Sequence, residues 1–433
     1  MSTTPTVPIT ELAEVNPSVD LRSISGGECA SFIPMSDVSV EGAWVNRQER
    51  RLADVRVGYT RFAEGDLLFA KITPCMEHGK GAHATGLTNG IGFGSTEFHV
   101  LRAKCRDSQR FLFHWLRAPQ TRARALAYMG GSAGQQRVSA DFFERFSIPC
   151  LPQAEHRRIA AVLDTVDEAI AKTEAVIAKL RQVRAGLLHD LLTRGLDENG
   201  ELRDPVARPE EFWDSPVGRI PRGWEVKALR ECLTENPQNG IYKPASQIGR
   251  GTLLVGQTSF AEDRTVDFEL ARRAVVSQTE IQHFGLQPGD LLVSRVFATV
   301  EGVGRPAMVP TMPEPAVYES NMMRLRVRRE VITPQLVFHW LQSAAVRSRI
   351  LAAANSSNQT SINQQGVNSL PIGVPEPGEQ ERTLPLLTAY EAREKSEEAN
   401  LQKLQLLKSG LLSDLLTGRV RVPEGVGAAE VCL

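Results

Sequence analysis

The sequence lacks the features that mark secreted and membrane-spanning proteins. Its 433 residues include six cysteines, which form no C-x-x-C pair and show no regular spacing. They are typical of reduced thiols in a cytoplasmic protein. The N-terminal segment MSTTPTVPIT is neither basic nor apolar. No uninterrupted apolar run approaches the length of about 18 residues that a membrane helix needs. We therefore expect a cytoplasmic protein without a signal peptide or a membrane span.

An excess of charge of either sign is also absent. The chain has 50 Lys and Arg against 51 Asp and Glu, and 42% of its residues are hydrophobic. This composition is ordinary for a globular protein and does not by itself indicate nucleic acid as a partner. At this length, about two to four domains are expected.

Long segments of the chain occur twice. Four motifs recur in the same order and at nearly the same spacing, about half the chain apart: Phe113–Leu116 as 338–341 (FHWL), Leu187–Thr193 as 411–417 (LL-x-DLLT), Gly65–Leu68 as 289–292 (GDLL), and Ser132-x-x-Gln135 as 356–359. Solenoid repeats are about 20 to 50 residues long, so a period of half the chain indicates a duplicated domain. A protein with two copies of one domain presents two similar surfaces to its target.

Motifs for catalysis are missing from both copies. The chain contains no N-P-P-[YF] or D-P-P-[YF] methylation motif, no G-x-G-x-x-G after a strand, no phosphate loop and no G-x-S-x-G elbow. The duplicated histidines His114 and His339 lie in apolar F-H-W-L helices, where a hydrogen-bonded structural role is expected. Cys75, His78 and His83 have no counterparts in the second copy, which favours local packing over a metal site.

Periodicity predicts two globular units and two long helices. The segment from about Val7 to Pro152 alternates short apolar runs with glycine-rich turns, typical of a mixed α/β domain. Within it we expect a helix over 111–128 and a short helix capped by Ser139. From Glu155 to Thr193 apolar residues follow the spacing of a coiled-coil seam, with Thr173 and Arg184 as exceptions.

A second long helix is predicted from Glu379 to Thr417. Its seam is poorer because Glu394, Glu397 and Lys408 occupy seam positions. A helix this polar needs a partner, and antiparallel packing against the first long helix is the natural arrangement. Between the first long helix and the second unit, a segment rich in acidic residues and proline has the composition of a linker.

The duplicated cations and amides are candidates for nucleic-acid contacts. Lys71 corresponds to Arg295, and Lys80 corresponds to Arg305. Exchange of Lys for Arg suits a phosphate contact better than bidentate base recognition. Two glutamine-containing loops extend the candidate set, which comprises Lys71, Lys80, Gln135, Gln136 and Arg137 in the first copy and Arg295, Arg305, Asn358, Gln359 and Thr360 in the second. Turn chemistry for the loops and simple solvation for the cations remain open alternatives.

Each copy also has a basic stretch at the same place. Residues 102–145 contain nine basic and three acidic residues, and residues 321–350 contain six arginines and one glutamate. A phosphate-facing patch and ordinary solvated helix faces both fit this pattern. Where the copies diverge, as at Gln136 and Arg137 against Thr360 and Ser361, different side chains would select different bases.

In this arrangement the chain resembles the DNA-sequence specificity subunit of type I restriction-modification systems. The likeness spans nearly the whole chain and rests on the order of motifs, repeated twice: GDLL at 65–68, the glutamine loop at 130–139, Ile148-Pro149-x-x-Pro152-x-x-Glu155 before the long helix, the L-L-x-D-L-L-T helix end, the segment from Asp214 to Trp224, and the second long helix at 379–417.

The resemblance implies an α+β fold with two target recognition domains separated by two long helices that form an antiparallel coiled coil. The domains would be 1–152 (first recognition domain), 153–195 (central conserved helix), 196–217 (linker), 218–377 (second recognition domain), 378–419 (C-terminal conserved helix) and 420–433 (tail).

The same resemblance implies a function without catalysis in this chain. Each recognition domain would read one part of a split double-stranded DNA sequence, and the paired helices would dock two methyltransferase subunits and restriction or translocase subunits. S-adenosylmethionine, ATP and Mg would then bind to those partners, and this chain would hold no cofactor and no metal. Two alternatives stay open: a coiled-coil scaffold whose globular ends bind proteins, and a self-sufficient nuclease or methylase whose site has no recognisable motif.

Overall fold

The computed structural model describes residues 5–21, 27–131, 135–261, 263–356 and 360–424. The chain divides into two compact units. Unit 1 comprises residues 1–176 and 397–433, and unit 2 comprises residues 177–396, so each long helix contributes one part to each unit. Within the described residues, no helix is both long enough and apolar enough to cross a lipid bilayer.

Unit 1 is built from short strands and helices ahead of the first long helix. Its strands are β1 (Thr6–Pro8), β2 (Ala13–Val15), β3 (Cys29–Ile33), β4 (Gln48–Arg51), β5 (Thr60–Ala63), β6 (Leu67–Ala70), β7 (Gly81–His83), β8 (Ile91–Gly94), β9 (Phe98–Ala103), β10 (Met129–Gly130), β11 (Arg137–Val138) and β12 (Ser147–Pro149). Its helices are α1 (Leu52–Val55), α2 (Gln109–Arg117), α3 (Pro119–Leu126), α4 (Asp141–Arg145) and the first part of α5 (Gln153–Thr193).

Unit 2 continues with the remaining strands and helices. The strands are β13 (Phe212–Ser215), β14 (Gly218–Pro221), β15 (Glu225–Ala228), β16 (Gln238–Asn239), β17 (Ile248–Val255), β18 (Arg272–Ala274), β19 (Leu291–Ser294), β20 (Val296–Phe297), β21 (Pro306–Met308), β22 (Ala316–Tyr318), β23 (Met322–Leu325), β24 (Asn355–Ser356), β25 (Thr360–Ser361) and β26 (Pro371–Val374). The helices are α6 (Gln278–Phe284), α7 (Pro334–Gln342), α8 (Ala344–Ala353), α9 (Gln364–Asn368) and α10 (Pro377–Leu415).

The two units repeat one sheet arrangement. Unit 1 has the strand order β2-β9-β6-β7, and unit 2 has the matching order β16-β23-β19-β21. The leucine-rich strands of the two GDLL motifs, β6 and β19, are buried at every position, because each is central in its sheet. Each unit also contains one parallel pair, β3 with β8 and β17 with β22. The duplication predicted from sequence is therefore a duplication of topology.

The long helices α5 and α10 pack against each other in antiparallel fashion. In unit 1, Lys408 pairs with Asp167 at 2.6 Å; in unit 2, Arg181 pairs with Glu394 at 2.7 Å. Residue numbers therefore fall along α10 as they rise along α5. These ion pairs explain why polar residues interrupt the heptad seams, since the partner helix supplies the opposite charge.

Two local predictions need correction. The helix expected over 111–128 is two helices, because Pro119 begins α3 and forces Ala118 out of helical geometry, with ψ of 136°. Ser139 does not cap α4, whose N-cap is Ala140 without a side-chain hydrogen bond. In its place, the Ser139 carbonyl accepts from the Phe142 amide at 3.2 Å.

The segment 196–217, expected as a linker, is packed into unit 2. β13 pairs with β14 in a hairpin, and Leu196, Phe212 and Val217 are buried, with Leu196 and Val217 in the hydrophobic core of the unit. Its acidic residues stabilise turns: the Asp197 carboxylate, for example, accepts from the amides of Asn199 and Glu201, both at 2.9 Å. Aspartate and proline are common in linkers and in tight turns alike, and composition does not separate the two.

Candidate nucleic-acid interface

The glutamine-containing loops are β-hairpins attached to the end of a central strand. In unit 1, β10 and β11 form the hairpin, and the Val138 amide donates to the Lys71 carbonyl at 2.9 Å. In unit 2, β24 and β25 form it, and the Ile362 amide donates to the Arg295 carbonyl at 3.0 Å. Since Val138 and Ile362 also correspond in the sequence repeat, Lys71 and Arg295 occupy equivalent places in their units.

A second pair of main-chain hydrogen bonds confirms the equivalence. The Lys71 amide donates to the Glu97 carbonyl at 2.9 Å, and the Arg295 amide donates to the Asn321 carbonyl at 2.8 Å. Glu97 and Asn321 are again corresponding positions of the sequence repeat. Each hairpin is thus held beside one basic residue and one position at which the two copies differ.

In unit 1 the structure brings Lys71, Gln136 and Arg137 together. Lys71 and Arg137 line a groove of 660 Å³. The Thr73 amide donates to the Gln136 carbonyl at 3.0 Å, which places Gln136 beside the strand that follows Lys71. Gln135 is exposed, and its carbonyl accepts from Arg137 Nη1 at 3.1 Å. Four of the sequence-predicted residues therefore share one site.

Glu97 is a member of this site that sequence reasoning missed. Its carboxylate accepts from Arg137 Nε at 2.9 Å and from Arg137 Nη2 at 2.7 Å. The hydrogen bonds from Arg137 hold the pKa of the Glu97 carboxyl below its usual value. Because the pair is neutral overall, Arg137 adds less positive field than its charge suggests, and Lys71 is the principal cation of the groove.

The buried His99 ring forms a hydrogen bond with the same hairpin. Its Nε2 lies 2.9 Å from the Val138 carbonyl oxygen, and its Nδ1 lies 3.2 Å from Asn16 Nδ2. Nε2 therefore donates and Nδ1 accepts, which requires the neutral ring. Burial lowers the pKa of His99, in agreement with the neutral form.

In unit 2 the described part of the candidate site is smaller. Arg295 Nη1 donates to the Ser320 carbonyl at 3.2 Å. Thr360 pairs with Phe297 across β25 and β20, just as Gln136 lies beside Thr73 in unit 1. Asn358 and Gln359 lie outside the described residues.

The side chains of Lys80 and Arg305 donate to carbonyls outside the hairpins. Lys80 Nζ donates to the Met35 carbonyl at 3.1 Å, and Arg305 Nε donates to the Glu301 carbonyl at 2.9 Å. Their main chains are equivalent, since the Lys80 carbonyl accepts from Ala70 at 3.1 Å and the Arg305 carbonyl accepts from Ser294 at 3.0 Å. They belong to a second cationic position in each unit.

Many cations of the two basic stretches are used inside the fold. Arg102 forms a bidentate pair with Asp66 at 2.8 and 2.7 Å, and Arg326 forms the same pair with Asp290 at 2.9 and 2.8 Å. The aspartate of each GDLL motif is thus a buried anchor. Arg110 and Arg324 are also paired, with Asp164 and Glu235. Four arginines of the two stretches are therefore neutralised by carboxylates of their own unit.

His114 of α2 joins a hydrogen-bonded network around Asp164 of α5. Its Nε2 lies 2.8 Å from Asp164 Oδ1, and Arg110 donates to the same carboxylate. Burial favours a raised pKa for Asp164, but hydrogen bonds from His114 and Arg110 outweigh it and lower that pKa to about 2. The ligand atoms of His114, Asp164 and Asp167 lie within 4.8 Å of one another. Since Arg110 and Lys408 already balance both carboxylates, the cluster suits an ion-pair network better than a cation site.

Comparison with known proteins shows which proteins the chain is similar to. Residues 55–182 match the family model of the type I restriction modification DNA specificity domain. The chain is 40% identical over 251 residues to the EcoAI type I specificity subunit of Escherichia coli, covering 55% of this chain and 42% of that one. The resemblance to type I specificity subunits is confirmed. The matched specificity domain contains Lys71, Lys80, Gln135, Gln136, Arg137 and the first part of α5.

A second relative and a solved structure agree. The EcoEI specificity subunit of E. coli is 30% identical over 213 residues, which are 48% of this chain and 36% of that subunit. The matches thus span less than half of the length of either relative. The crystal structure of the type I S subunit from M. genitalium covers 95% of this chain and 96% of that chain, with a TM-score of 0.57 and 13% identity. At this identity the similarity shows the fold, and the predicted α+β class with paired long helices is confirmed.

Proposed function

We propose that the chain is the non-catalytic specificity subunit of a type I restriction-modification enzyme and recognises a bipartite double-stranded DNA sequence. Each unit reads one half-site. The paired helices dock two methyltransferase subunits and restriction or translocase subunits in the cytoplasm. S-adenosylmethionine, ATP and Mg bind to those partners.

One observation carries the proposal. Both units hold a hairpin beside one basic residue through the same main-chain hydrogen bonds, while the neighbouring side chains differ. A basic residue kept as Lys71 or Arg295 suits a phosphate contact, which positions the protein without reading sequence. Divergent side chains beside it suit the reading of two different half-sites, because each base pair shows a distinct major-groove pattern.

DNA binding by the reconstituted complex tests the proposal. We expect the chain with its methyltransferase partner to prefer one split duplex, and Lys71→Ala and Arg295→Ala each to weaken binding to every duplex. The slope of log K against log salt should fall by about 0.9 for each phosphate interaction that the substitution removes. Exposed Arg56→Ala and Arg250→Ala, one in each unit and both outside the basic stretches, serve as matched controls.

Two results would contradict the proposal. Equal affinity of the wild-type complex for all duplexes would remove sequence recognition. Unchanged DNA binding in both variants, together with retained binding of a protein partner, would favour the coiled-coil scaffold whose globular ends bind proteins.

A further inference from the structure

Two arginines of unit 2 converge on one carbonyl oxygen. Arg305 Nε donates to the Glu301 carbonyl at 2.9 Å, and Arg347 Nη2 donates to the same oxygen at 3.0 Å. Arg347 Nη1 also donates to the Val303 carbonyl at 2.7 Å. Two guanidinium groups that share an acceptor are held within a few ångströms of each other, although their charges repel.

Arg264 adds a third positive charge. Its main chain joins the same region, since the Met308 amide donates to the Arg264 carbonyl at 2.9 Å and Met308 ends the strand that follows Arg305. Arg264 has φ of 61°, a conformation that an arginine rarely adopts. Its neighbour Asp263 is engaged by Lys395 at 2.6 Å.

Electrostatics within the described residues leave this cluster unbalanced. Burial lowers the pKa of Arg264 and of Arg347, and the charge of Arg305 lowers both further. No described carboxylate offsets this effect on either group.

A glycine makes the close approach of Arg347 feasible. Gly304 has φ of 69°, and a Cβ there would lie 2.4 Å from Ile350 Cγ2 and 3.2 Å from Arg347 Nη1. Unit 1 has the same arrangement of a glycine beside an arginine, because Gly79 has φ of 74° and a Cβ there would overlap Arg122. The glycine before each second cation, Lys80 or Arg305, thus leaves room for an arginine of α3 in unit 1 and of α8 in unit 2.

We propose that Arg264, Arg305 and Arg347 form a phosphate-binding site of unit 2 that takes a backbone phosphate of DNA. Guanidinium groups match the oxygens of a phosphate through paired N–H donors, and the anion balances the three charges. The site rests on the proposed function and adds Arg264 and Arg347 to it. It contributes affinity but no sequence preference, because phosphates are the same in every sequence.

The test is Arg264→Gln in the complex reconstituted with the methyltransferase partner. We expect weaker binding to specific and non-specific duplexes by the same factor, and a salt slope smaller by about 0.9. Arg273→Gln is the matched control: it removes the same charge from the same unit, but Arg273 is paired with Glu314 at 2.6 Å. Arg264→Lys should restore most of the slope, because a point charge suffices for a phosphate contact.

Further measurements separate the outcomes. Equal melting temperatures of wild type and Arg264→Gln show that the fold is intact, and an unchanged salt slope in that folded variant would overturn the site. Inorganic phosphate replaces chloride at constant ionic strength in a parallel melting series. If it stabilises the wild type but not Arg264→Gln, and the salt slopes are equal, the site binds free phosphate and the DNA assignment is wrong. Loss of all sequence preference in the wild-type complex would overturn the proposed function instead.

Discussion

Unit 1 and unit 2 share the same ion pair and hydrogen bond of a buried aspartate, but they differ in the side chains beside the hairpins. In unit 1, Asp66 pairs with Arg102 and accepts from the Ala63 amide at 2.7 Å; in unit 2, Asp290 pairs with Arg326 and accepts from the Gln287 amide at 2.8 Å. Each residue of the first set corresponds to one of the second in the sequence repeat. Buried carboxylates need fixed partners, so the duplicated copies retain them together.

The hairpin sites show the opposite behaviour. Glu97 and Arg137 form an ion pair in unit 1, and the equivalent positions of unit 2 hold Asn321 and Ser361. Both members of the pair are replaced, so neither copy has a lone charge there. The comparison teaches that main-chain geometry fixes where the hairpin lies, while the side chains around it can change without loss of the fold.

The largest difference that we predict between the units is their response to acid. Burial is the first cause of a lowered histidine pKa at four positions of unit 1, His83, His99, His114 and His156, and at one position of unit 2, His339. For His83, His156 and His339 the pKa falls from 6.5 to about 4. Each such shift is worth at most about 3 kcal/mol before solvent screening.

The direction of this pH dependence follows because the buried histidines are neutral in the folded protein. A histidine with a lowered pKa stabilises the fold fully above pH 6.5, and that stability is lost as the pH falls towards 4. Asp164 adds a further loss of stability only below its ordinary pKa of 3.8.

We expect hydrogen exchange, corrected for intrinsic rates, to show α2 losing protection at a higher pH than α7. His156→Gln should reduce the pH dependence of unit 1, and exposed His283→Asn should leave that of unit 2 unchanged; simultaneous opening of both units would contradict the prediction.

A smaller difference is expected at the starts of the two long helices. Glu379 is buried and accepts from the Leu196 amide at 2.7 Å, from Trp224 Nε1 at 3.0 Å and from Arg203 at 2.9 and 3.1 Å. Glu155 accepts from Arg421 Nε at 2.6 Å and from the Val422 amide at 3.3 Å. Both helices therefore have, in their first turn, a glutamate held by an arginine, but the Arg203 side chain is 20% exposed and the Arg421 side chain 56%.

We expect Glu379→Gln to cost about 3 to 5 kcal/mol, because it leaves Arg203 charged and largely buried. Glu155→Gln should cost less, about 1.5 to 3 kcal/mol, since Arg421 regains water when the hydrogen bond is weakened. Hydrogen exchange at the start of α10 and of α5 measures the two effects separately, which a single unfolding curve of a two-unit chain does not. The exposed Glu376→Gln is the control, and equal losses at both glutamates would show that burial does not decide the cost.

Features encoded by local pattern were predictable from the sequence. The heptad spacing after Glu155 predicted α5, which begins two residues earlier at Gln153 and ends at Thr193 as expected. The duplication predicted that Lys71 and Arg295 are equivalent, and the main-chain hydrogen bonds show it. Periodicity and repetition are properties of the sequence itself, and no tertiary information is needed to read them.

Pairings across the sheet were not predictable. Glu97 and Arg137 are 40 residues apart, and Asp66 and Arg102 are 36 residues apart. The sequence around each residue does not show that these charges meet. The basic stretches therefore did not indicate how many of their arginines pair with carboxylates of the same unit. The sequence did not indicate Arg264 for the same reason. Arg264 and Arg305 are distant in the sequence, and they come close because the Met308 amide, at the end of β21, donates to the Arg264 carbonyl.

The smallest predicted effect on stability, and the most direct test of the comparison, is an exchange at the hairpin site. Glu97→Asn with Arg137→Ser gives unit 1 the side chains of unit 2. Exposed ion pairs contribute about 0 to 1 kcal/mol, so the fold should be preserved. If these side chains read bases, preference at the half-site of unit 1 should change by about 1 to 3 kcal/mol per base pair, roughly 5- to 150-fold, and the other half-site should be unaffected.

Selection of duplexes with both half-sites randomised, using the complex with its methyltransferase partner, measures the preference at both half-sites at once. Lys71→Arg is the control, because it retains charge at a phosphate contact and should leave both preferences alone. Unchanged preference in the double variant would mean that Glu97 and Arg137 support the hairpin without reading DNA.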